Sequence, residues 1–365
     1  MQKKLIALAV AGLASGTALA QTNVTMYGIA DAGYVYSWGD DFVPGTNKFS
    51  GIASGLLSGS RIGFKGEEAL GNGLKAIFTL EYGLTIDNNT GVGTGGLNAR
   101  QQFVGLSGGF GTVALGRQYA PGYDASARND AFAGALFAPQ SFLTAQAGNT
   151  ITPNSGARWD NAVTYTTPNW GGFTGKAIYS FGETGDGFGG FNDKLTSTTD
   201  NGRWGLGANF STGAFNVDAL YQVRQNVAGL DDIEEWFIGG SFDLKFLKLM
   251  ASYQEQNDKN VTNLDNQVWS VGAVIPVGNG NIHLGYAQNR WDVNRFFDGN
   301  TDSAAIAYTH SLSKRTTLYA GYVWVDNDDQ SFAPLNTNGS FSPVNGVGAV
   351  GQSNQTFLAG IRHAF

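Results

Sequence analysis

Eight ionisable residues in the first half of this chain have the types and spacing to act on a dissolved ion. Arg61, Lys65, Glu81, Arg100, Arg117 and Arg158 lie in short segments with apolar residues at alternate positions, and Asp124 and Asp130 lie between Arg117 and Arg158. Successive side chains of a β-strand leave opposite faces, so parity assigns the five cations and Glu81 to one water-facing surface. A ring of like charge opposite carboxylates across a narrow aqueous gap produces a transverse field, which orders water and sorts solutes by size and charge. The alternative, for any one of these residues, is simple solvation in a wide lumen.

Covalent and metal chemistry find little to work with. His283, His310 and His363 are the only histidines, they lie far apart, and there are 0 cysteines. No H-E-x-x-H pattern is present, and the missing thiols remove disulfides, thiolate sites and cysteine nucleophiles together. Gly91–Gly96 and Gly185–Gly190 both satisfy G-x-G-x-x-G, but neither opens a helix after a strand, as dinucleotide binding requires, so they read as loop tips. The acids at Asp231–Glu235 and Asp326–Asp329 offer the oxygen ligands that calcium takes, and they suit a solvated rim as well. No reaction, resident metal or cofactor is expected.

Strands must position the charges, and parity organises them. From Gln355 to Phe365, Phe357, Ala359, Ile361, His363 and Phe365 share one face, while Thr356, Leu358, Gly360 and Arg362 take the other. A soluble chain seldom finishes on an apolar strand with its last ring in solvent, because termini fray. The same beat runs through Ile62 and Phe64 against Arg61 and Lys65, through Leu74–Tyr82, Phe173–Phe181, Trp204–Phe210 and Phe215–Val223, and on to Leu318–Trp324. With the less regular Arg100–Ser107, Thr112–Tyr119 and Arg158–Thr167, sixteen strands are expected, an even number, as a closed antiparallel barrel requires. Tight turns at Leu70–Gly73, Gly108–Gly111, Asn169–Gly171, Ser211–Gly213, Val277–Gly280 and Ser313–Arg315 alternate with long polar connections at Gly39–Gly59, Asp87–Ala99, Glu183–Asn201 and Asp326–Ser353. Short turns at one rim and long loops at the other describe an outer-membrane barrel, an all-β fold.

Composition agrees. The chain has 53 glycines, 13% aromatic residues and only 14% charged residues, against roughly 25% charged in a soluble domain. Its mean hydropathy of −0.15 is what two opposed faces give when averaged. Lys3, Lys4, the apolar run Leu5–Leu13 and Ala18-Leu19-Ala20 match a cleaved secretory leader, so residues 1–20 are expected to be a signal peptide and 21–365 a single barrel domain. Loss of Lys3 and Lys4 leaves 20 basic against 29 acidic residues, a net charge of −9, which disfavours nucleic acid as a partner. No stretch approaches the roughly 18 apolar residues of a membrane helix.

The connection from Ala120 to about Gly156 differs from the others, with the apolar run Ala131–Ala138 beside Asp124, Arg128 and Asp130. A connection this long is uncommon unless functional. It is expected to fold into the barrel, its apolar part on the inner wall and its carboxylates narrowing the pore; the alternative is an extracellular excursion. Thr112–Tyr119 fits its strand poorly, because an inward Arg117 leaves only Thr112, Ala114 and Gly116 facing out. Small residues allow close approach in a membrane, which suggests a subunit contact there.

VTMYGIADAGY (24–34), SRIGFKGEEALGNGLKAIFTLEYG (60–83), RQQFVGLSGGFGTVALGRQYAPGYD (100–124), RWDNAVTYTTPNWGG (158–172) and the terminal IRHAF resemble the general porins of Gram-negative bacteria, especially the beta-proteobacterial branch. The resemblance implies a sixteen-stranded homotrimer in outer-membrane lipid and lipopolysaccharide, with one pore per subunit and passive diffusion of ions and small hydrophilic solutes. It places the family's arginine cluster on Arg61, Arg100 and Arg158 and its wall glutamate on Glu81, with Lys65 and Arg117 near the waist. Asp124 falls in the matching YD pair, and the segment after it departs from the family pattern. Three arginines against few acids lead to an expected anion preference. A substrate-specific channel for sugars or dicarboxylates remains the near alternative; a barrel hydrolase would need a clustered serine, histidine and carboxylate, and an adhesin would have an occluded lumen.

Overall fold

The computed structural model describes residues 23–39, 48–88, 98–181, 202–226, 230–260, 265–292, 298–328 and 351–365. The expected leader at 1–20, both glycine clusters and most of three long connections, 87–99, 183–201 and 326–353, lie outside the described residues.

Strands β1 (Asn23–Gly39), β2 (Lys48–Ser54), β3 (Arg61–Gly71), β4 (Leu74–Gly83), β5 (Asn98–Gly108) and β6 (Gly111–Tyr119) come first. Two helices follow, α1 (Pro121–Arg128) and α2 (Pro139–Gln146). The sheet continues with β7 (Arg158–Thr166), β8 (Phe173–Ser180), β9 (Arg203–Thr212), β10 (Phe215–Arg224), β11 (Ile233–Asp243) and β12 (Lys248–Asp258). It ends with β13 (Asn266–Val277), β14 (Gly280–Asp292), β15 (Asp298–Ser311), β16 (Thr316–Asn327) and β17 (Ser353–Ala364). Pairing is antiparallel throughout, and β17 returns to β1 from Ile29↔Ala364 to Gly39↔Asn354, which closes the sheet. Phe365 adds a reciprocal pair of backbone hydrogen bonds with Gly28, both 3.1 Å. A Cβ on Gly28 would come within 2.3 Å of the Phe365 ring, so that ring packs over the glycine.

The expected loop Gly39–Gly59 is partly strand. β2 pairs with the upper half of β1 (Ala32↔Ser54 to Trp38↔Lys48) and β3 with the lower half (Asn23↔Glu67 to Ile29↔Arg61), so β2 and β3 form one interrupted stave. The seventeen strands therefore make sixteen staves. Lys48–Ser54 has a weak apolar alternation; pairing to β1 holds its backbone, and Phe49 and Ala53 pack on the apolar core inside.

Lipid-facing parity follows the apolar residues. Trp204 and Tyr221 (5.5 Å between ring centroids), Trp236 and Tyr253 (5.0 Å) and Trp269 and Tyr286 (5.3 Å) form a ladder around one rim. Phe173, Phe210, Phe215 and Phe242 are exposed near the other. Aromatic girdles sit where a bilayer's hydrocarbon meets its headgroups. Among the described residues no helix is long and apolar enough to cross a membrane, so the crossing belongs to the strands.

The main apolar core lies inside the cylinder. Ala131, Phe132, Ala135, Phe137, Ala138, Phe142 and Leu143 pack against inward-facing Val268, Ala287, Ala307, Val323 and Leu358. The expected inward folding of the 120–156 loop is what the structure shows, with two helices inside it that periodicity does not reveal. Pro121 and Pro139 stand at the first turns of those helices, where a missing N–H carries no penalty. The wall makes room for the loop with glycine: a Cβ on Gly272 would lie 2.8 Å from Ala131 Cβ, and one on Gly285 2.5 Å from the Phe132 ring.

Ile238 is half exposed on the outer wall between the girdle residues Trp236 and Phe242. Ile238→Lys should lower folding stability by about 2–4 kcal/mol. Urea unfolding of vesicle-inserted protein checks this, and a change within error of wild type contradicts the lipid-facing assignment.

Candidate functional site: a charged wall facing the infolded loop

Three arginines reach the lumen by three different local devices. Arg61 opens β3 directly after the interruption of its stave. Arg100 shares parity with outward Val104 and Leu106, and strict alternation would turn it to lipid. A register shift pairs Glu81 with Gln101 but Tyr82 with Ala99, so Arg100 is the extra residue of a bulge, and the bulge re-aims it inward. Arg158 opens β7 opposite Tyr119.

Two of these side chains, Arg61 and Arg100, meet one carboxylate. Glu81 is 4% exposed. Its Oε1 accepts hydrogen bonds from Arg100 Nε (2.8 Å) and Tyr119 Oη (2.9 Å), and its Oε2 accepts one from Tyr27 Oη (3.0 Å). Arg61 Nη1 stands 3.9 Å from Glu81 Oε1, while its Nε donates to Gly59 O (2.8 Å) and its Nη2 to Ser58 Oγ (3.2 Å). Arg100 Nη2 also donates to Tyr119 Oη (3.2 Å) and Tyr123 Oη (2.8 Å). A Cβ on Gly59 would lie 3.2 Å from Arg100 Nη1 and 4.0 Å from Arg61 Nη2, so the two guanidiniums meet at a residue with no side chain to separate them.

Among the described residues Arg158 has no carboxylate partner. It donates from Nη2 to Pro153 O (3.0 Å) and lies over the Tyr119 and Tyr123 rings, 5.8 and 5.1 Å from their centroids. The two rings stack with centroids 3.7 Å apart, so a cation–π contact holds the guanidinium. Burial opposes ionisation of Tyr123, yet Arg100, Arg158 and Arg61 draw its phenol below the ordinary value. The local potential is strongly positive. Lys65 faces the lumen two pairs further toward the turn rim, its Nζ 5.4 Å from the Tyr27 ring centroid.

Three expected pore residues lie elsewhere. Arg117 points to the outer wall: it pairs with Gln102, which pairs with lipid-facing Leu80, and no bulge on that side changes the parity. Val113 and Leu115 accompany it outward while Ala114 is buried, which removes the misfit of Thr112–Tyr119 and with it the argument for a small-residue contact. Arg117 Nη1 instead meets Asp160 at 2.5 Å. Asp130 is buried inside the infolded loop, where its Oδ2 accepts the Gly134 N–H (2.7 Å) and closes a turn. Asp124 turns to the wall, 3.7 Å from Lys176 Nζ, beside a separate cavity of about 240 Å³.

Among the described residues the infolded loop sets no carboxylate across from the arginines, and Asp87, on the wall side after β4, lines their cavity. The cavity between wall and loop, about 350 Å³, is lined on the loop side by Tyr123, Ala127, Ala133, Leu136 and Asn154. Acids that do engage the loop act as wall anchors. Asp218 accepts Arg128 Nη2 (2.5 Å), Arg128 Nε (3.2 Å) and Asn129 Nδ2 (2.8 Å), and Glu235 accepts Thr150 N (2.7 Å) and Oγ1 (2.5 Å). His283 Nδ1 meets Ala131 O at 2.7 Å. Among the described residues no three His, Asp or Glu side chains gather as a metal would need.

A closed antiparallel cylinder, greasy outside and narrowed by an infolded loop opposite guanidinium groups, is a membrane channel. The Gram-negative porin family's sequence profile matches residues 7–330, and the chain belongs to that family. It is similar to outer membrane porin protein 32 of Delftia acidovorans, 34% identical over 373 residues covering 100% of both chains. A Bordetella pertussis outer membrane porin protein is 29% identical, spanning 88% of this chain and 93% of its own. The solved anion-selective porin from Comamonas acidovorans superposes with a TM-score of 0.77 at 29% identity, covering 94% of this chain and 100% of its own. The protein is an outer-membrane porin, a channel and not an enzyme.

Burial pushes the Asp130 carboxyl up to about 6, above its unfolded value near 4. A carboxyl raised on folding favours the folded state while it keeps its proton, and that advantage is lost as pH rises from the unfolded value through the folded one. Asp130→Asn should thus be more stable than wild type at pH 7 by up to about 3 kcal/mol, with the difference gone below about pH 3.5. Paired denaturation curves at the two pH values test this, and a difference independent of pH contradicts it.

Proposed function

We propose that this porin is a general diffusion channel favouring small anions, with Arg61, Arg100 and Arg158 as the selecting groups and Lys65 extending the positive wall. The observation that carries this reading is the local imbalance of charge. Two of the three guanidiniums share the buried Glu81 carboxylate, Arg158 rests on aromatic faces, and the infolded loop sets no acid in the cavity, whose acidic lining residue, Asp87, comes from the wall side. Fixed cations on a low-dielectric wall raise the local concentration of anions. The similar Comamonas acidovorans protein is described as anion-selective, which supports the same assignment here. Net charge does not oppose it, because the field at the arginine wall comes from nearby groups, with distant ones screened over roughly 10 Å.

We also infer a homotrimer joined through the wall of β5–β7. The outer face there carries Gln102 and the Arg117–Asp160 ion pair in place of the Trp–Tyr ladder of β9–β14. Charged groups facing hydrocarbon are expensive, so this wall suits contact with another copy.

In planar bilayers under a salt gradient, the wild-type reversal potential should have the sign of anion preference, and Arg158→Gln should lower the anion-to-cation permeability ratio about two-fold. A cation-preferring wild type overturns the selectivity reading, while saturation by one sugar or dicarboxylate points to a dedicated channel. Conductance should appear in groups of three equal steps, and Arg117→Ala should lower the temperature at which the detergent-resistant oligomer dissociates; single-step insertions by a monomer contradict the trimer.

A further inference from the structure

We infer that Asp31 is a positioning residue for the pore: its buried carboxylate holds the inward loop that orients Arg61 and supports the tip of the infolded segment. This rests on the selectivity reading and deepens it.

The interruption between β2 and β3 sets up the geometry. Six residues, Gly55–Ser60, stand opposite only two on β1, Ala30 and Asp31. The excess must leave the wall, and Gly55, with φ +73°, takes the left-handed turn. Asp31 faces inward beneath the loop and is 0% exposed. Its Oδ2 accepts the backbone N–H groups of Leu57 (3.1 Å) and Ser58 (2.8 Å), and its Oδ1 accepts Tyr319 Oη (2.6 Å). Its own backbone fastens both ends of the loop. Asp31 O accepts Gly55 N (2.8 Å) and Ser60 Oγ (3.0 Å), and Asp31 N donates to Ser60 Oγ (3.0 Å).

What the loop then holds is the functional part. Gly59 O and Ser58 Oγ accept Arg61 Nε and Nη2, and Leu56 O accepts the Leu136 N–H of the infolded segment (3.0 Å). Leu136 lines the cavity that faces the arginines. One carboxylate thus fixes a guanidinium on one side of the passage and a backbone anchor for the other. Without these acceptors Arg61 is free to swing onto Glu81, already within 3.9 Å, and its charge would be neutralised there.

The sign of the effect separates positioning from plain electrostatics. Removing a negative charge from the lumen wall would by itself raise anion preference, whereas releasing Arg61 lowers it. Asp31→Asn and Asp31→Ala should each reduce the anion-to-cation permeability ratio by about half, with noisier open-channel current. Ser58→Ala, which removes only the guanidinium contact, should shift the ratio the same way by less, and it carries the test if the Asp31 variants fail to insert. In an Arg61→Gln background Asp31→Asn should add no further fall in the ratio, the non-additivity of residues acting through one another.

An unchanged or increased anion preference in Asp31→Asn and Ser58→Ala, with the wild type anion-preferring, overturns the inference. A wild type without anion preference overturns the selectivity reading instead. Conductance then decides on Asp31, because values identical to wild type in both variants reject the positioning role.

Discussion

Hydrocarbon offers no partner to a backbone N–H or C=O, so every strand that crosses a membrane must find its hydrogen bonds in the sheet. Pairing of β17 with β1 satisfies that condition, and much else in the molecule is arranged around it. Closure makes an inside, and the inside is where polar residues of each alternating strand are tolerated. It also explains the chain end, where Phe365 continues the pairing and packs its ring over Gly28. Where the second stave breaks, six residues that cannot pair in the wall turn into the lumen, and an irregularity of the sheet becomes part of the passage.

Charge in the lumen is divided between groups that fasten the loops and the guanidiniums proposed to sort solutes. Asp218, Glu235 and Asp130 are bound to the infolded loop or within it, and Asp31 to the shorter loop. Such carboxylates each accept two or more donors or sit out of water, so they contribute rigidity and little field to a passing solute. Glu81 holds Arg100 between two tyrosines. Arg158 rests on aromatic faces, and Arg61 on a carbonyl and a hydroxyl. Neutral supports preserve the positive charge that a carboxylate partner would cancel.

Two bulges decide which charges are inside. Arg100 has the parity of lipid-facing neighbours and is turned inward by the extra residue opposite Glu81 and Tyr82. Arg117 has the same kind of parity, meets no such correction on its β5 side and stays outside, joined to Asp160. On the β7 side the register shifts near Asn161, whose φ is +46°. Alternation counts residues, and a bulge adds one, so the sequence of β6 alone suggests a cation at the pore where the folded sheet puts one on the outer wall. The helices of the infolded loop were similarly illegible apart from Pro121 and Pro139, because their buried faces are set by the wall they meet rather than by a polar solvent opposite.

The sequence by itself determined the barrel. Period-two alternation, tight turns alternating with long connections, an even strand count and a terminal aromatic strand require no tertiary information, since each is a local response of the backbone to a slab of lipid. It also singled out Arg61, Arg100 and Arg158, the selecting groups proposed here, through their resemblance to a family cluster. Tertiary structure decided that neither expected loop acid faces them, because Asp124 and Asp130 acquire their roles from contacts with Lys176 and Gly134. It decided as well that Asp31, unremarkable in an alternating strand, lies under a loop that holds Arg61. Those outcomes depend on residues far apart in the chain meeting across a closed lumen, and alternation along one strand carries no record of what stands on the opposite side.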